Sequence, residues 1–179
     1  MRRRTVLASA GTAAFLGGCL GNDDSEPNDE DDGCPDPDLD DELVYSSHEP
    51  TRLFESVDGG IVDVALLTDP DDAERFDSDL DAEDESFVEG TDFDTDVVIG
   101  LQIGSSGEST APVPLGVERD GGTIRAYTCI EESGSTEDLM MYALLLRVET
   151  GSNPVETVEV VHHEDGSESR LSSESTTRE

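Results

Sequence analysis

The chain has 179 residues, and its 45 Asp and Glu against 10 Lys and Arg give a formal net charge of -35 at pH 7, a field that repels phosphate and excludes a nucleic-acid binder. All ten cations are Arg, so Schiff-base lysines, Ser-Lys dyads and phosphate-loop lysines are excluded as well. Hydrophobic residues make up 34% with no Trp, so the core is lean and the length suits one domain with tails.

Arg2, Arg3 and Arg4 precede an Ala- and Gly-rich run from Val6 to Phe15 that is too short and too weakly apolar for a stable membrane span. Arg3-Arg4-Thr5-Val6-Leu7 resembles the twin-arginine export motif. Leu16-Gly17-Gly18-Cys19 resembles a lipobox, in which small residues admit a peptidase before a cysteine that takes lipid. Together they predict a signal peptide over residues 1–18 and a lipid anchor on Cys19 at the outer, extracellular face of the cytoplasmic membrane. The alternative is an ordinary secretory signal with a chance cysteine. Residues 19–42 carry 12 acids between Asn22 and Glu42 and read as a self-repelling, disordered tether. A cation-binding acidic arm would need only the same charges.

A single β-rich extracytoplasmic domain is expected over residues 43–163. Val44–Ser47 and Ile61–Leu67 read as strands, the second with Val62, Val64 and Leu66 on one face. Asp69-Pro70-Asp71-Asp72 reads as the start of a short helix reaching Phe76 or Asp77, with an N-cap acid, a first-turn proline and acids near the positive end of the dipole. Asp77–Gly90 is acidic and reads as mostly loop.

Asp96–Ile103 reads as a strand with Val97, Ile99, Leu101 and Ile103 on one face and Val98 and Gln102 on the other, broken by Gly104-Ser105-Ser106-Gly107. Pro112–Arg119 and Gly122–Ile130 form a predicted hairpin around Asp120-Gly121. Pro112 and Pro114 lack N–H groups on the same side, which marks a sheet edge or a loop margin. Asp138–Val148 favours helix by its Leu, Met and Ala, yet Tyr142, Leu144, Leu146 and Val148 share one face and predict a central strand. Val155–His163 closes the domain, and residues 164–179 read as a disordered tail. The sum is a mainly β fold, a β-sandwich or open barrel of about six to seven strands with one or two short helices.

With Cys19 committed to lipid, Cys34 and Cys129 remain, and an oxidising compartment favours a disulfide between them over two free thiols. It would pin the tether onto the domain. The folded stretch itself carries 28 acids against 5 Arg between Leu43 and His163. Self-repulsion then opposes compaction unless salt screens it, and at ~1 M the Debye length is only ~3 Å.

No catalytic residue stands out. The alternating acids Asp36, Asp38, Asp40; Asp77, Asp79, Asp81; and Asp92, Asp94, Asp96 read as solvated charge, because the middle run has Ala82 where a calcium loop turns on Gly and Val88 where it needs Glu. His162 and His163 point to opposite faces of their strand, so they do not chelate one ion together. His162 shares a face with Val158 and Val160 and reads as a packed histidine, the alternative being a zinc or copper ligand paired with His48. Ser105 and Ser106 read as a flexible polar turn, since Gly-Ser-Ser-Gly is no nucleophile elbow. No metal or cofactor is expected.

The absence of Lys together with the acid load resembles salt-adapted haloarchaeal proteins, in which twin-arginine lipoproteins are widespread. The segment from Phe93 to His163, with its Asp-Phe-Asp start, a strand ending in Gln, an Asp-Gly-Gly hairpin and Tyr-Ala-Leu-Leu-Leu-Arg-Val, resembles haloarchaeal lipoprotein domains. More distantly it resembles the extracytoplasmic domain named for a protease-complex accessory protein (PrcB-type). That resemblance implies a β-rich, non-catalytic domain and carries no functional residues over. The expected function is a membrane-anchored binding or interaction module whose partner is an envelope protein or a small ligand, met through the loops Ser105–Pro112 and Glu131–Asp138. The alternative is a small extracytoplasmic hydrolase or metal-binding enzyme using a His with a carboxylate.

Overall fold

The structure, a computed structural model, describes residues 33–54, 63–76, 80–106, 109–131 and 138–175. The expected export segment with Arg3 and Arg4, the expected anchor position Cys19, Val62, and Asp77 and Asp79 lie outside the described residues. Among the described residues the elements are β1 (Tyr45–His48), β2 (Asp63–Leu67), a 3-10 helix (Pro70–Arg75), α1 (Ala82–Glu89), β3 (Asp96–Ser106), β4 (Val113–Asp120), β5 (Thr123–Ile130), β6 (Leu139–Glu149), β7 (Thr157–Glu164) and β8 (Ser167–Glu174). They build two four-stranded sheets in the orders β1-β6-β3-β2 and β4-β5-β7-β8. The fold is a mainly β sandwich with two short helices.

Period-two patterning decides which side chains meet between the sheets. Val64 and Leu66 of β2, Val97, Ile99, Leu101 and Ile103 of β3 and Leu144, Leu146 and Val148 of β6 oppose Val117, Ile124, Ala126, Val158 and Val160 from the second sheet. The other face of β3 and β6 is buried too. There Val98, Ala143 and Leu145 pack with Leu53, Phe54, Phe76 and Val88 beneath the helices, so β3 and β6 have apolar residues on both faces and read as near-continuous hydrophobic runs. The helix-favouring composition of Leu139–Glu149 is overridden by this two-sided burial, and β6 sits centrally between β1 and β3.

Gln102 belongs to the helical layer. Its Oε1 accepts from Leu53 N (2.8 Å) and Phe54 N (2.9 Å), and its Nε2 donates to Phe54 O (3.1 Å), which fixes the connection leaving β1. The hairpin β4–β5 turns on Gly121 at φ 63. β4 is an edge strand, with an irregular register between Pro114 and Gly116 that leaves Leu115 with no register partner on β5. β5 and β7 are parallel, linked by way of β6 in the opposite sheet.

Three expectations are corrected. Asp77–Gly90 is not mostly loop: α1 is capped by Asp81, whose Oδ1 accepts from Glu83 N (2.8 Å) and Asp84 N (3.0 Å) in a capping box. Residues 164–179 are not a frayed tail up to Glu174, because Asp165 (φ 50) and Gly166 (φ 67) form a tight turn and β8 pairs with the whole of β7. Residues 34–42 are not a free tether. Cys34 and Cys129 are disulfide-bonded with a Cα separation of 5.7 Å. Arg119 N donates to Asp41 O (3.0 Å) and Leu43 N to Val117 O (2.8 Å), so the segment lies along the β4 edge.

Both lateral openings of the sandwich are bridged. On one side the chain runs from the β4 edge into β1, and Tyr45 Oη donates to Pro114 O (3.4 Å). On the other, Arg75 donates to Leu66 O (2.7 Å) of β2 and to Glu174 O (3.1 Å) and Ser173 Oγ (2.8 Å) of β8.

Candidate functional site

One end of the sandwich gathers the end of β3, the start of β4, the end of β5, the start of β6 and the β7–β8 turn. Both loops singled out in the sequence leave from this end, though residues 107–108 and 132–137 lie outside the described residues. A cleft of about 370 Å³ opens there between the sheets, walled by Ile103 and Gly104 on one side and His162, Glu164, Ser167 and Ser169 on the other.

His162 reaches this position because Val158, Val160 and His162 alternate onto the inner face of β7. The parallel register sets it beside Thr128 of β5, whose Oγ1 lies 3.0 Å from His162 Nδ1. The imidazole is 3% exposed, and its Nε2 has no hydrogen-bond partner among the described residues. Burial pushes its pKa below the usual imidazole value, reinforced by His163 and partly opposed by Glu164. The ring is therefore neutral at pH 7.

Ser105 faces it across the sandwich. The sequence reading made it part of a turn, but β3 continues through Ser106, which pairs with Leu139. The buried Ser105 hydroxyl donates to Glu164 Oε1, and Ser109 Oγ lies 2.8 Å from it. Just outside the mouth, the Cys34–Cys129 bridge lines a second hollow with His163, Glu164 and Gly166. The point at which the docked N-terminal segment joins the sheet thus adjoins the cleft.

His48 is elsewhere. Its Nε2 lies 2.7 Å from Asp84 Oδ1 of α1, and its ring stacks on Phe87 at 5.3 Å, outside the sheet that separates it from the inter-sheet core. Arg147 lies 4.5 Å from the centroid of Phe87 and donates to Phe87 O and Thr91 Oγ1. A zinc or copper site made by His48 with His162 is not formed, since the two occupy different layers. Among the described residues no three His, Cys, Asp or Glu side chains are arranged to hold a metal ion.

Several acids have local backbone roles. Asp81 caps α1, and those backbone hydrogen bonds hold its carboxyl below the ordinary value. Asp92 accepts from Asp94 N (3.2 Å) and Asp69 from Asp71 N (2.9 Å). Glu118 is different. It is buried under the docked N-terminal segment, accepting from Arg125 (2.9 Å), Tyr127 Oη (2.7 Å) and Asp40 N (3.2 Å). These hydrogen bonds, led by Tyr127, outweigh burial and lower its pKa. Arg125 also donates to Glu159 (2.6 Å), and its own pKa is raised, chiefly by that carboxylate.

The sequence reading missed Glu164 and the closure of the cleft by β8. The signal was present: Asp165-Gly166 between alternating residues is a hairpin signature of the kind used at Asp120-Gly121. Comparison with known protein families, characterised proteins and solved structures finds no match.

Proposed function

We propose that the chain is a twin-arginine-exported lipoprotein, held by Cys19 on the outer face of the cytoplasmic membrane, whose sandwich is a non-catalytic binding module for an envelope protein or a small extracellular ligand in high salt. The observation that carries the reading is the loop end itself. It combines a buried neutral imidazole and a Ser105–Glu164 hydrogen bond at one cleft with the attachment point of the N-terminal segment in the adjoining hollow. Cys34 lies fifteen positions beyond Cys19, a reach of at most about 50 Å. Such a leash keeps the loop end at high effective concentration near membrane neighbours.

The chemistry of the cleft supports binding over turnover. A Ser-His-acid relay needs an acid on one ring nitrogen and the nucleophile on the other. Here Nδ1 is held by Thr128, and Ser105 donates to Glu164 instead. The His48–Asp84 pair is the observation that favours the enzyme alternative, but its imidazole is stacked between layers. Crosslinking in native high-salt membranes, with Cys19→Ser as the released control, tests the proposal. A reproducible partner at the loop end that is lost on release supports it. Turnover of a substrate abolished by His48→Gln, without any partner, would replace it.

A further inference from the structure

We infer that the start of β6, Leu139 to Met141, is a strand edge that pairs with the same edge of a second copy of this chain, joining two β1-β6-β3-β2 sheets across a two-fold axis. The inference stands apart from the ligand or envelope partner of the proposed function and holds or fails without it.

β1 covers only part of β6, since it pairs with Leu145 to Val148 and stops at His48. Glu149 N donates to Val44 O, so the odd-numbered residues of β6 direct their N–H and C=O groups towards β1 and the even-numbered ones towards β3. The next rung after His48 and Leu145 would set Pro50 against Ala143, and Pro50 has no N–H to give. Ala143 is nevertheless covered, at 6% exposed. Beyond it, Met141 and Leu139 aim their backbone groups outward with no hydrogen-bond partner on that side among the described residues.

Other margins of the sandwich are guarded. Residues 41–43 lie along β4, Arg75 spans β2 and β8, and the exposed start of β8 carries Glu168 and Arg170. Coverage and charge are the usual protections of a strand edge, and the start of β6 has neither. It is also apolar: Leu139 is 48% and Met140 50% exposed, Met141 is half-buried, and no charged residue stands between Asp138 and Arg147.

A second copy fits this edge in both backbone and side chains. In an antiparallel pairing centred on Met140, Leu139 of each copy stands opposite Met141 of the other, so the outward-directed groups exchange hydrogen bonds. Met140 then faces its own counterpart on the narrower rung. Leu139 and Met141 meet on the outer face and Met140 on the core side, which it shares with Leu144 and Leu146. The unbranched thioethers adapt to one another. Each chain carries a net charge of -35, so like copies repel over most of their surface, and this uncharged stretch is where they approach at least cost. The two-fold closes the pair without propagating it. So short a contact belongs to the weak class of interfaces, below about 1,200 Å².

The experiment is sedimentation velocity on the full chain carrying Cys19→Ser, in molar salt, between about 10 μM and about 1 mM. The expected mass rises with concentration from 19.2 kDa towards twice that value. Met141→Pro removes an outward N–H without touching the ladder to β3, and should weaken the association at least about 10-fold. Leu139→Arg, on an exposed side chain, should do the same and keeps the test open if the proline variant unfolds. Val44→Arg, at an equally exposed apolar position on the other end of that sheet, should leave the association intact. The register is read by oxidation: Met140→Cys should crosslink to itself, and Leu139→Cys should crosslink to added Met141→Cys chain more readily than to itself. A mass of one chain throughout, an association insensitive to both Met141→Pro and Leu139→Arg, or the absence of a Met140→Cys crosslink overturns the inference. So does an edge that pairs only with a different protein, which a crosslinked product of unequal chains would reveal.

Discussion

The ring of Phe76 occupies the space above Gly100. A Cβ built on Gly100 would lie 2.5 Å from Phe76 Cε1 and 2.8 Å from Cζ, and 3.3 Å from Leu53 Cδ1. A bare backbone in the middle of β3 therefore lets the 3-10 helix descend onto the outer face of the sheet. Gly100→Ala should force a buried aromatic ring to move and destabilise the domain by about 1–3 kcal/mol. Gly116→Ala is the matched comparison, since its Cβ would meet only the flexible end of Leu39 at 2.5 Å. Urea unfolding in molar salt should show the smaller loss at Gly116.

Gln102→Leu should be costly for a different reason. It replaces the amide by an apolar side chain of similar size and leaves the buried N–H groups of Leu53 and Phe54 without their acceptor. At roughly 1–3 kcal/mol for each orphaned group, the loss should exceed that of Gly100→Ala. Amide exchange at Leu53 and Phe54 should accelerate before exchange in β5. Unchanged protection at both would show that the side chain does not hold this connection.

The pH dependence of stability should carry a histidine step. The pKa of His162 is lowered by burial in the folded state, so the unfolded chain binds the proton more readily. Stability contributed by keeping the ring neutral is full above the unfolded value of about 6.5 and falls as pH drops from there towards the folded value. Glu118 and Glu159, whose pKa values are lowered by Tyr127 and Arg125 respectively, lose their contribution only below the ordinary carboxylate value of about 4.5. Melting curves between pH 7 and about 2 should thus fall in two stages, and His162→Gln should remove the first.

Salt should set the melting temperature strongly. The stretch from Leu43 to His163 holds 28 acids and 5 Arg, and its arginines are not all directed at acids. Arg75 and Arg119 donate to backbone carbonyls, and Arg147 to a carbonyl and a threonine hydroxyl. Far-UV circular dichroism should show the strand signal at molar salt and its loss on dilution. A full native spectrum in salt-free buffer would contradict this.

Most of the strand content was legible because alternation is local. Val97 to Ile103 and Tyr142 to Val148 announce their faces within seven residues each, and the structure places them as read. The Cys34–Cys129 bridge followed from counting cysteines. What escaped depended on short signals or distant partners. The capping box at Asp81 was hidden among acids, since the same residue type serves as cap and as solvated charge. Residues 167–174 have too little hydrophobicity to predict a strand, and they become one because β7 offers an unpaired edge after the Asp165-Gly166 turn. His162 and Glu164 line the cleft while their partners Thr128 and Ser105 stand on two other strands, so no spacing along the chain could reveal the arrangement.

The bridge between Cys34 and Cys129 also decides how the molecule would bear a mechanical load. A pull on the chain from the N-terminal side of Cys34 passes through a covalent bond into β5, which lies between β4 and β7 in the interior of its sheet. The load therefore bypasses residues 35–44 and does not peel the chain from the β4 edge one hydrogen bond at a time. It meets two flanking ladders together, and a reducing environment would convert a firmly seated attachment into one that unzips.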